Sequence, residues 1–242
     1  MIKFFRKIRQ NLLSEGKTRK YFKYAIGEIV LVVVGIFIAL SINNWNEEQK
    51  NIKKGKEILS DIRENLEYNT LRFQKDIEVE QKVINSIDII YENITVTRTY
   101  NDSLAKHFRI LTWWETSRWK SSGYEAIISE GVEIIKSKGL RESIIDLYEI
   151  VYPEISENTR LSEGNFFAIL PSWLQLIEKE PYDFNTTLEH KARPYDYQEL
   201  IESRFFRSAL MWFRSNRLID IQLRKNAIDK NQKLIELIDE NL

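Results

Sequence analysis

The chain of 242 residues contains no cysteine and only two histidines, His107 and His190. Without cysteine it can form no disulfide, zinc–thiolate or iron–sulfur site, and it has no thiol nucleophile. Neither histidine lies in an H-E-x-x-H pattern, and no Walker-type, G-x-S-x-G or dinucleotide-binding glycine pattern is present. The sequence therefore indicates no metal and no cofactor, and it argues against an enzyme.

Helix-breaking residues are also scarce, with four prolines and eight glycines. A chain with so few breaks favours long helices. We therefore expect an all-α protein, with one N-terminal transmembrane helix followed by a helical bundle that contains two long antiparallel helices.

Residues 24–45 contain neither lysine nor arginine and read YAIGEIVLVVVGIFIALSINNW. The 18 residues from Ala25 to Ile42 would form a helix about 27 Å long, close to the hydrocarbon thickness of a bilayer. A cleaved signal peptide is the alternative, since Ala39-Leu-Ser41 resembles a small-x-small cleavage site. The apolar segment is longer than a signal sequence needs, and bulky Ile42 and Trp45 follow closely. The pattern therefore predicts an uncleaved anchor.

Charge is distributed unevenly around this segment. Residues 1–23 hold eight Lys/Arg and one acid, whereas residues 46–242 hold 28 basic and 34 acidic residues. Basic residues flanking a span mark its cytoplasmic side, so we expect the N-terminus in the cytoplasm and residues 46–242 on the other side of the membrane. Residues 1–13 predict either a basic amphipathic helix on anionic lipid or an irregular basic flank. Nucleic acid is not an expected partner, because the folded part lacks a clustered basic face.

Four residues of the span are candidates for contact with lipid or a partner: Glu28, Gly35, Ala39 and Trp45. Glu28 lies about one helical turn inside the expected interface, where it would either reach head-group water or meet a polar group of another membrane helix. Gly35-x-x-x-Ala39 is a small-xxx-small pair, which permits close approach of a second helix. The expected partners are the lipid membrane and either a second copy of the chain or another membrane protein.

The first 48 residues resemble the N-terminal signature of a family of uncharacterised single-span membrane proteins from Bacteroidota. The similarity lies in FRKIRQ (5–10), SEGKT (14–18), YAIGEI (24–29) and INNWNE (42–47). Residues 124–149 resemble a later helical segment of that family more loosely. The resemblance implies a bacterial inner-membrane location with a periplasmic C-terminal domain. It assigns no activity, and it places Gly27, Glu28 and residues 43–46 inside a family-like motif.

Two long helices are predicted after the span. In the first, Ile52, Leu59, Leu66 and Phe73 recur every seven residues, as in coiled coils. The apolar spacing then shifts to Ile77, Ile84 and Tyr91, which predicts a stutter-like break. Because Gly55, Asn69 and Asp76 occupy the second core position, a bundle fits better than a strict two-stranded coiled coil.

The final 45 or so residues form the second long helix, with an apolar stripe that includes Phe205, Trp212, Ile219 and Leu234. We expect it to run antiparallel to the first, bringing Ile62 near Leu234. Its arginine stripe would then either face an acidic stripe of the first helix or lie in solvent. The arginines are Arg207, Arg214, Arg217 and Arg224, and the acids are Glu57, Asp61 and Glu64.

Aromatic residues concentrate at 113–124, where Trp113, Trp114, Trp119 and Tyr124 occur within twelve residues. Such a cluster suits either stacking of a planar ligand or packing at the end of a bundle.

The sequence as a whole predicts three segments: a basic segment 1–23, a span 24–45 and an extracytoplasmic bundle 46–242. The predicted function is a membrane-anchored helical interaction, scaffold or sensor-like module. The alternative is a tethered ligand-binding domain or enzyme that uses the aromatic segment.

Overall fold

A computed structural model describes residues 18–113, 118–179 and 191–242. Within these residues the regular secondary structure is helical apart from one pair of three-residue strands, which confirms the predicted all-α class. The helices are α1 (Thr18–Glu92), α2 (Ala105–Ile110), α3 (Ser122–Glu130), α4 (Lys138–Asp146), α5 (Tyr152–Leu176), α6 (Tyr197–Glu202) and α7 (Arg204–Asp239). Strands β1 (Ile177–Lys179) and β2 (Ala192–Pro194) pair antiparallel.

The chain divides into two units, Met1–Gly55 and Lys56–Leu242. The described part of the first unit belongs to α1 and buries almost none of its side chains against the chain itself. The second unit contains the remainder of α1 and every other element, together with the hydrophobic core.

In the second unit, α1 and α7 run antiparallel, as predicted. Arg63 pairs with Asp239 near one end of the contact, and Asp88 pairs with Arg214 near the other. Between them, Asn231 Nδ2 donates to Thr70 Oγ1 over 3.1 Å. Ile62 and Leu234, the two residues expected to lie close together, belong to the same hydrophobic cluster.

The buried positions of α1 follow one uninterrupted 3/4 spacing, so the predicted stutter is wrong. The series is 59, 62, 66, 69, 73, 76, 80, 83, 87 and 90, and 94 continues it in the π-helical turn after α1; positions 58, 65, 84, 86 and 93 are buried beside it. Asp76 and Glu80 continue the heptad after Phe73, and each is only 2% exposed. The apolar spacing breaks there because charged residues occupy two core positions, while the helix keeps its register.

The same arrangement corrects the predicted apolar stripe of α7. Its core positions include Phe206, Phe213, Arg217 and Arg224, whereas Ile219 is 50% exposed. Phe205 and Trp212 are only partly buried. In the first half of the helix, the predicted stripe therefore differs by about one residue from the positions that are buried. The difference arises because charged residues occupy part of the core there.

Two separate hydrophobic clusters fill the core of the second unit. We name them the Tyr152 layer and the Trp173 layer after their large buried aromatic residues. The Tyr152 layer includes Ile62, Leu66, Phe73, Tyr124, Ile144, Tyr148, Tyr152, Ala227, Leu234 and Ile238. The Trp173 layer includes Val83, Ile87, Ile90, Phe108, Phe166, Trp173, Leu200, Phe206, Leu210 and Phe213.

Gly123, in the first turn of α3, packs directly against α1. A Cβ atom added there would lie 2.6 Å from Ile62 Cγ1 and 2.8 Å from the Ile62 backbone nitrogen. We expect Gly123→Ala to lower the free energy of unfolding by about 1–3 kcal/mol, since the α1 backbone would have to shift. Urea unfolding followed by circular dichroism measures the change.

The matched control for that substitution is Gly139→Ala in α4, where an added Cβ meets no atom within 4 Å. Alanine there should raise stability by about 0.5–1 kcal/mol through helix propensity alone. Equal effects at the two glycines would show that the α3–α1 contact is not close.

Candidate functional site

The apolar segment of α1 lies exposed on the surface of the chain. Its most apolar 18-residue window has a mean hydropathy of 2.7, and none of that window is buried within the protein. By length and composition it is the one helix among the described residues that could cross a membrane. The described residues of the chain therefore leave this apolar surface uncovered.

The four candidates of this segment occupy different environments. Glu28 is half-buried, whereas Ala39 is exposed and Trp45 is 65% exposed. An added Cβ at Gly35 meets no atom within 4 Å, so the Gly35-x-x-x-Ala39 face is open to an approaching helix. These four positions stay candidates for lipid or partner contact.

A cluster of buried charges lies in the core of the second unit, and we call it the charged layer. Its five members come from α1 and α7: Asp76, Glu80, Arg217, Asp220 and Arg224, of which the most exposed is only 7% accessible. Nη1 of Arg217 lies 2.9 and 2.7 Å from the two carboxylate oxygens of Glu80. Arg224 pairs with two acids. Its Nε lies 3.5 Å from Asp76 Oδ2, and its Nη1 contacts Asp220 Oδ2.

Neighbouring groups at the edge of the charged layer balance its net charge and supply further hydrogen bonds. Arg72, 37% exposed, places Nε 3.0 Å from Asp76 Oδ1, so three arginines balance three carboxylates. Arg217 also donates through Nη2 to the Trp113 backbone carbonyl. Asn158 of α5 donates to Asp220 Oδ1 over 3.3 Å. The layer thus joins α1, α5, α7 and the segment after α2.

Burial shifts the ionisation of this layer. Desolvation raises the pKa of Glu80, and the adjacent Arg217 opposes that shift. Desolvation likewise lowers the pKa of Arg217 and of Arg224, against the stabilising effect of their carboxylate partners. Charges removed from water at this depth persist only when they are paired, so the layer is tightly interdependent.

A cavity of about 10 Å³ adjoins the charged layer, which is room for about one water molecule. It is lined entirely by polar side chains, namely Glu80, Asn158, Thr159, Ser162, Asn216, Arg217 and Asp220. Asn216 Nδ2 is buried there and has no hydrogen-bond partner among the described residues. A polar cavity of this size is suited to one ordered water and is too small for an organic ligand.

Two alternatives were left open for the arginine stripe, pairing with Glu57, Asp61 and Glu64 or exposure to solvent, and the structure shows neither. The arginines of α7 pair further along α1, with Asp88, Glu80 and Asp76. Arg207 instead donates to the Ile201 carbonyl over 2.7 Å. The antiparallel register brings Asp239, and not an arginine, to this end of α1, where it pairs with Arg63.

The aromatic segment divides between core and surface. Tyr124 is 8% exposed and stacks on Tyr148 with ring centroids 4.7 Å apart, while Trp119 packs 5.2 Å from Tyr152. Trp113 is 54% exposed. Trp114 and His190 lie outside the described residues. Burial and the Glu149 carboxylate raise the pKa of Tyr124 to about 12. Packing thus occupies Trp119 and Tyr124.

A buried polar network crosses the Tyr152 layer. The Tyr152 hydroxyl accepts from Asn69 Nδ2 at 3.2 Å and donates to Asn231 Oδ1 at 2.8 Å. Asn69 also holds the segment before α3, since its Oδ1 accepts from the Lys120 backbone N–H at 2.7 Å. Asn69, like Asp76, is a polar residue at a core position of α1, and the network connects α1, α5 and α7.

Tyr148 and Tyr152 offer a matched pair of hydroxyl deletions. The Tyr148 hydroxyl is buried and has no hydrogen-bond partner among the described residues, whereas the Tyr152 hydroxyl has two. We expect Tyr152→Phe to cost about 1–3 kcal/mol because it leaves buried amides unsatisfied. Tyr148→Phe should be neutral or stabilising. Urea midpoints of the two variants give the comparison, and equal losses would contradict the network.

An open surface hollow of about 510 Å³ lies beside the aromatic segment. Its lining is polar, with three acidic residues and one lysine, and consists of Asp61, Glu64, Asn65, Lys120, Ser121, Ser122 and Glu125. The shape and charge suit a small cationic molecule at most loosely, because the hollow is shallow and open to solvent.

The charged layer was not predicted from the sequence, although the sequence contains two signals of it. Asp76 was recognised at a core position of the heptad, and Arg217 and Arg224 were recognised on one face of α7. Complementary charges at core positions of two antiparallel helices predict a buried ionic contact once the register is known. The register follows from the full 3/4 series and not from the apolar residues alone.

The described residues define a helical protein in which one apolar helix is long enough to cross a membrane and the core of the second unit is divided by charge. The chain belongs to a family of unknown function (DUF6090), whose model matches residues 28–178, more than half of the sequence. The match begins at Glu28 and ends at Glu178, the middle residue of β1. No curated protein and no solved structure matches the chain.

Proposed function

We propose that the protein is a membrane-anchored helical interaction module. In this proposal α1 crosses the inner membrane of a bacterium, the N-terminus lies in the cytoplasm and the unit Lys56–Leu242 lies in the periplasm. The unit serves as a scaffold or a sensor for partner proteins. The exposed apolar window of α1 carries the proposal, because about 18 residues without burial would be unstable in water.

The direction of crossing is supported by charge. Eight Lys/Arg precede the span in residues 1–23, and five follow within a similar distance after Trp45. An excess of basic residues is retained in the cytoplasm, which favours a cytoplasmic N-terminus. The bacterial inner membrane comes from the resemblance of residues 1–48 to a Bacteroidota family.

Contact with partners is supported by two exposed surfaces. The first is the open Gly35-x-x-x-Ala39 face, which permits close helix packing. The second lies on α5, where Phe167 is 57% and Leu174 is 48% exposed. Both surfaces can bury apolar area against another protein.

The orientation can be tested with single cysteines, since the chain has none of its own. Gln175→Cys is exposed on α5, and Ser14→Cys precedes the span. A membrane-impermeant maleimide should label Gln175→Cys in spheroplasts, and Ser14→Cys only after the membrane is permeabilised. The reverse pattern would refute the proposed orientation, and labelling of both would refute the anchor.

The interaction role can be tested by affinity purification from gently solubilised native membranes. The comparison is the same unit, residues 46–242, fused to an unrelated membrane anchor. A partner specific to the native anchor would assign the contact to the span, including Glu28 and the Gly35 face. A partner retained by both proteins would assign the contact to the second unit. Absence of any specific partner would refute the interaction role.

The second candidate function is binding of a small cationic molecule at the hollow beside Trp119 and Tyr124. The observation that favours it is the acidic lining of the 510 Å³ hollow. Spermidine is a suitable probe, and calorimetry should detect saturable binding that Asp61→Asn and Glu64→Gln together weaken at least about tenfold. Binding that is unchanged in this variant, or absent in the wild type, would exclude the hollow.

A further inference from the structure

The charged layer lies between the two apolar layers on both α1 and α7. On α1, residues 58–73 belong to the Tyr152 layer and residues 83–94 to the Trp173 layer, with Asp76 and Glu80 between them. On α7 the order is reversed, with residues 206–213 and 227–238 on either side of Arg217, Asp220 and Arg224. No residue of one apolar layer is a member of the other.

We propose that the charged layer is a built-in opening boundary: the Trp173 layer separates reversibly from the rest of the unit at this boundary while the Tyr152 layer stays packed. The inference concerns the second unit alone and does not depend on the membrane anchor. It gives the unit two states, and the open state exposes aromatic surface that the closed state buries.

The energetic basis is the difference between apolar and ionic burial. Separating two apolar surfaces loses their burial free energy, whereas separating buried ion pairs returns each charge to water and recovers a large hydration free energy. The contact between Arg217 and Glu80 is therefore held together less strongly than an apolar contact of equal area. Proteins open in cooperative units, and weak coupling between two packed layers makes each layer such a unit.

The polar cavity reinforces the boundary. It lies against Glu80 and Arg217 and has room for about one water molecule, so the closed state can accommodate a water next to the ionic contact. Hydration of the separating charges can therefore begin without prior loss of apolar packing.

The Trp173 layer is the part that opens. Besides α1, α5 and α7, which both layers share, its elements are shorter than α3 and α4 of the Tyr152 layer, which have nine residues each. Helices α2 and α6 have six residues each, and β1 and β2 have three. The Tyr152 layer is held instead by the hydrogen-bond network of Asn69, Tyr152 and Asn231, which connects three long helices. Short elements with few buried neighbours open at lower free energy.

Hydrogen exchange with mass spectrometry on the full-length protein in nanodiscs tests the proposal. Under native conditions, we expect backbone amides of residues 83–90 and 206–213 to exchange together, at least about tenfold faster than those of 62–73 and 227–238. Equal protection of the two layers would overturn the proposal, and this result requires no variant.

An apolar exchange at the boundary provides the second test. Glu80→Leu with Arg217→Met removes the buried ion pair and leaves two acids, Asp76 and Asp220, balanced by Arg224 and Arg72. Because the two layers would then be joined by apolar contact, the difference in protection should shrink to within about threefold.

The matched control is Asp88→Leu with Arg214→Met, an exposed pair on the same two helices with Nε and Oδ1 2.7 Å apart. The control should leave the difference in protection unchanged, because its charges are already in water. A difference that persists in the Glu80/Arg217 variant, or that disappears equally in the control, would overturn the assignment of the boundary to the charged layer.

Discussion

Arg217→Met is expected to lower the free energy of unfolding of the second unit by about 3–5 kcal/mol. Arg217 is 1% exposed, and its guanidinium bonds both oxygens of Glu80 and the Trp113 carbonyl. Methionine fills similar space but leaves Glu80 as a buried carboxylate without its main partner, which is the costly half of breaking a buried ion pair. Urea unfolding in detergent, followed by circular dichroism, measures the loss.

A second substitution separates the ionic contribution from simple disruption of packing. Glu80→Leu added to Arg217→Met should recover most of the lost stability, since no buried charge is then left without a partner at that position. Arg214→Met, which breaks an exposed pair with Asp88, should change stability by about 1 kcal/mol or less. If Arg217→Met costs no more than Arg214→Met, Arg217 does not stabilise a buried carboxylate.

The second large effect is expected in the apolar window of α1. Val33→Arg with Phe37→Arg places two charges near its centre, where each costs about 2.5–3.5 kcal/mol of insertion free energy. The combined cost should remove most of the protein from the carbonate-resistant membrane fraction, as measured by quantitative immunoblotting. Both side chains are exposed, so the substitutions leave the packing of the second unit intact.

The control for the span carries the same two charges elsewhere. Gln74→Arg with Gln232→Arg places them at exposed positions of α1 and α7 outside the span. This variant should stay in the membrane fraction at the wild-type level. If the Val33/Phe37 variant also stayed there, residues 24–45 would not be the anchor.

Much of the architecture was predictable because its signals are local. The apolar run of residues 24–45 is visible without knowledge of any other part of the chain, and heptad spacing with few prolines predicts long helices. The antiparallel pairing followed from two long amphipathic helices near the ends of one unit, and the Arg63–Asp239 and Asp88–Arg214 pairs confirm it.

The errors share one cause, which is the assumption that core positions are apolar. Because Glu80 and Arg217 are charged, the apolar spacing around them mimicked a stutter in α1 and a rotated stripe in α7. Arg217 can be buried because it pairs with Glu80, which lies 137 residues away in the chain. A periodicity argument applied to one helix at a time cannot detect such a partner.

The aromatic segment illustrates the same limit. Trp119 and Tyr124 lie five residues apart and pack on Tyr152 and Tyr148, whereas Trp113 is exposed although its sequence neighbourhood is equally aromatic. Composition alone does not distinguish a packing cluster from a ligand platform, because both need large planar side chains. The difference depends on what the other helices place against each ring.

The sequence by itself determined the helical class, the apolar segment with its basic flank, and the antiparallel order of the two long helices. These depend on composition and on spacings of seven residues or fewer. Only the tertiary structure decided that charges fill the middle of the core and divide it into the Tyr152 and Trp173 layers. The reason is physical: a buried charge is stable only beside its counter-charge, and that neighbour is supplied by a distant part of the chain.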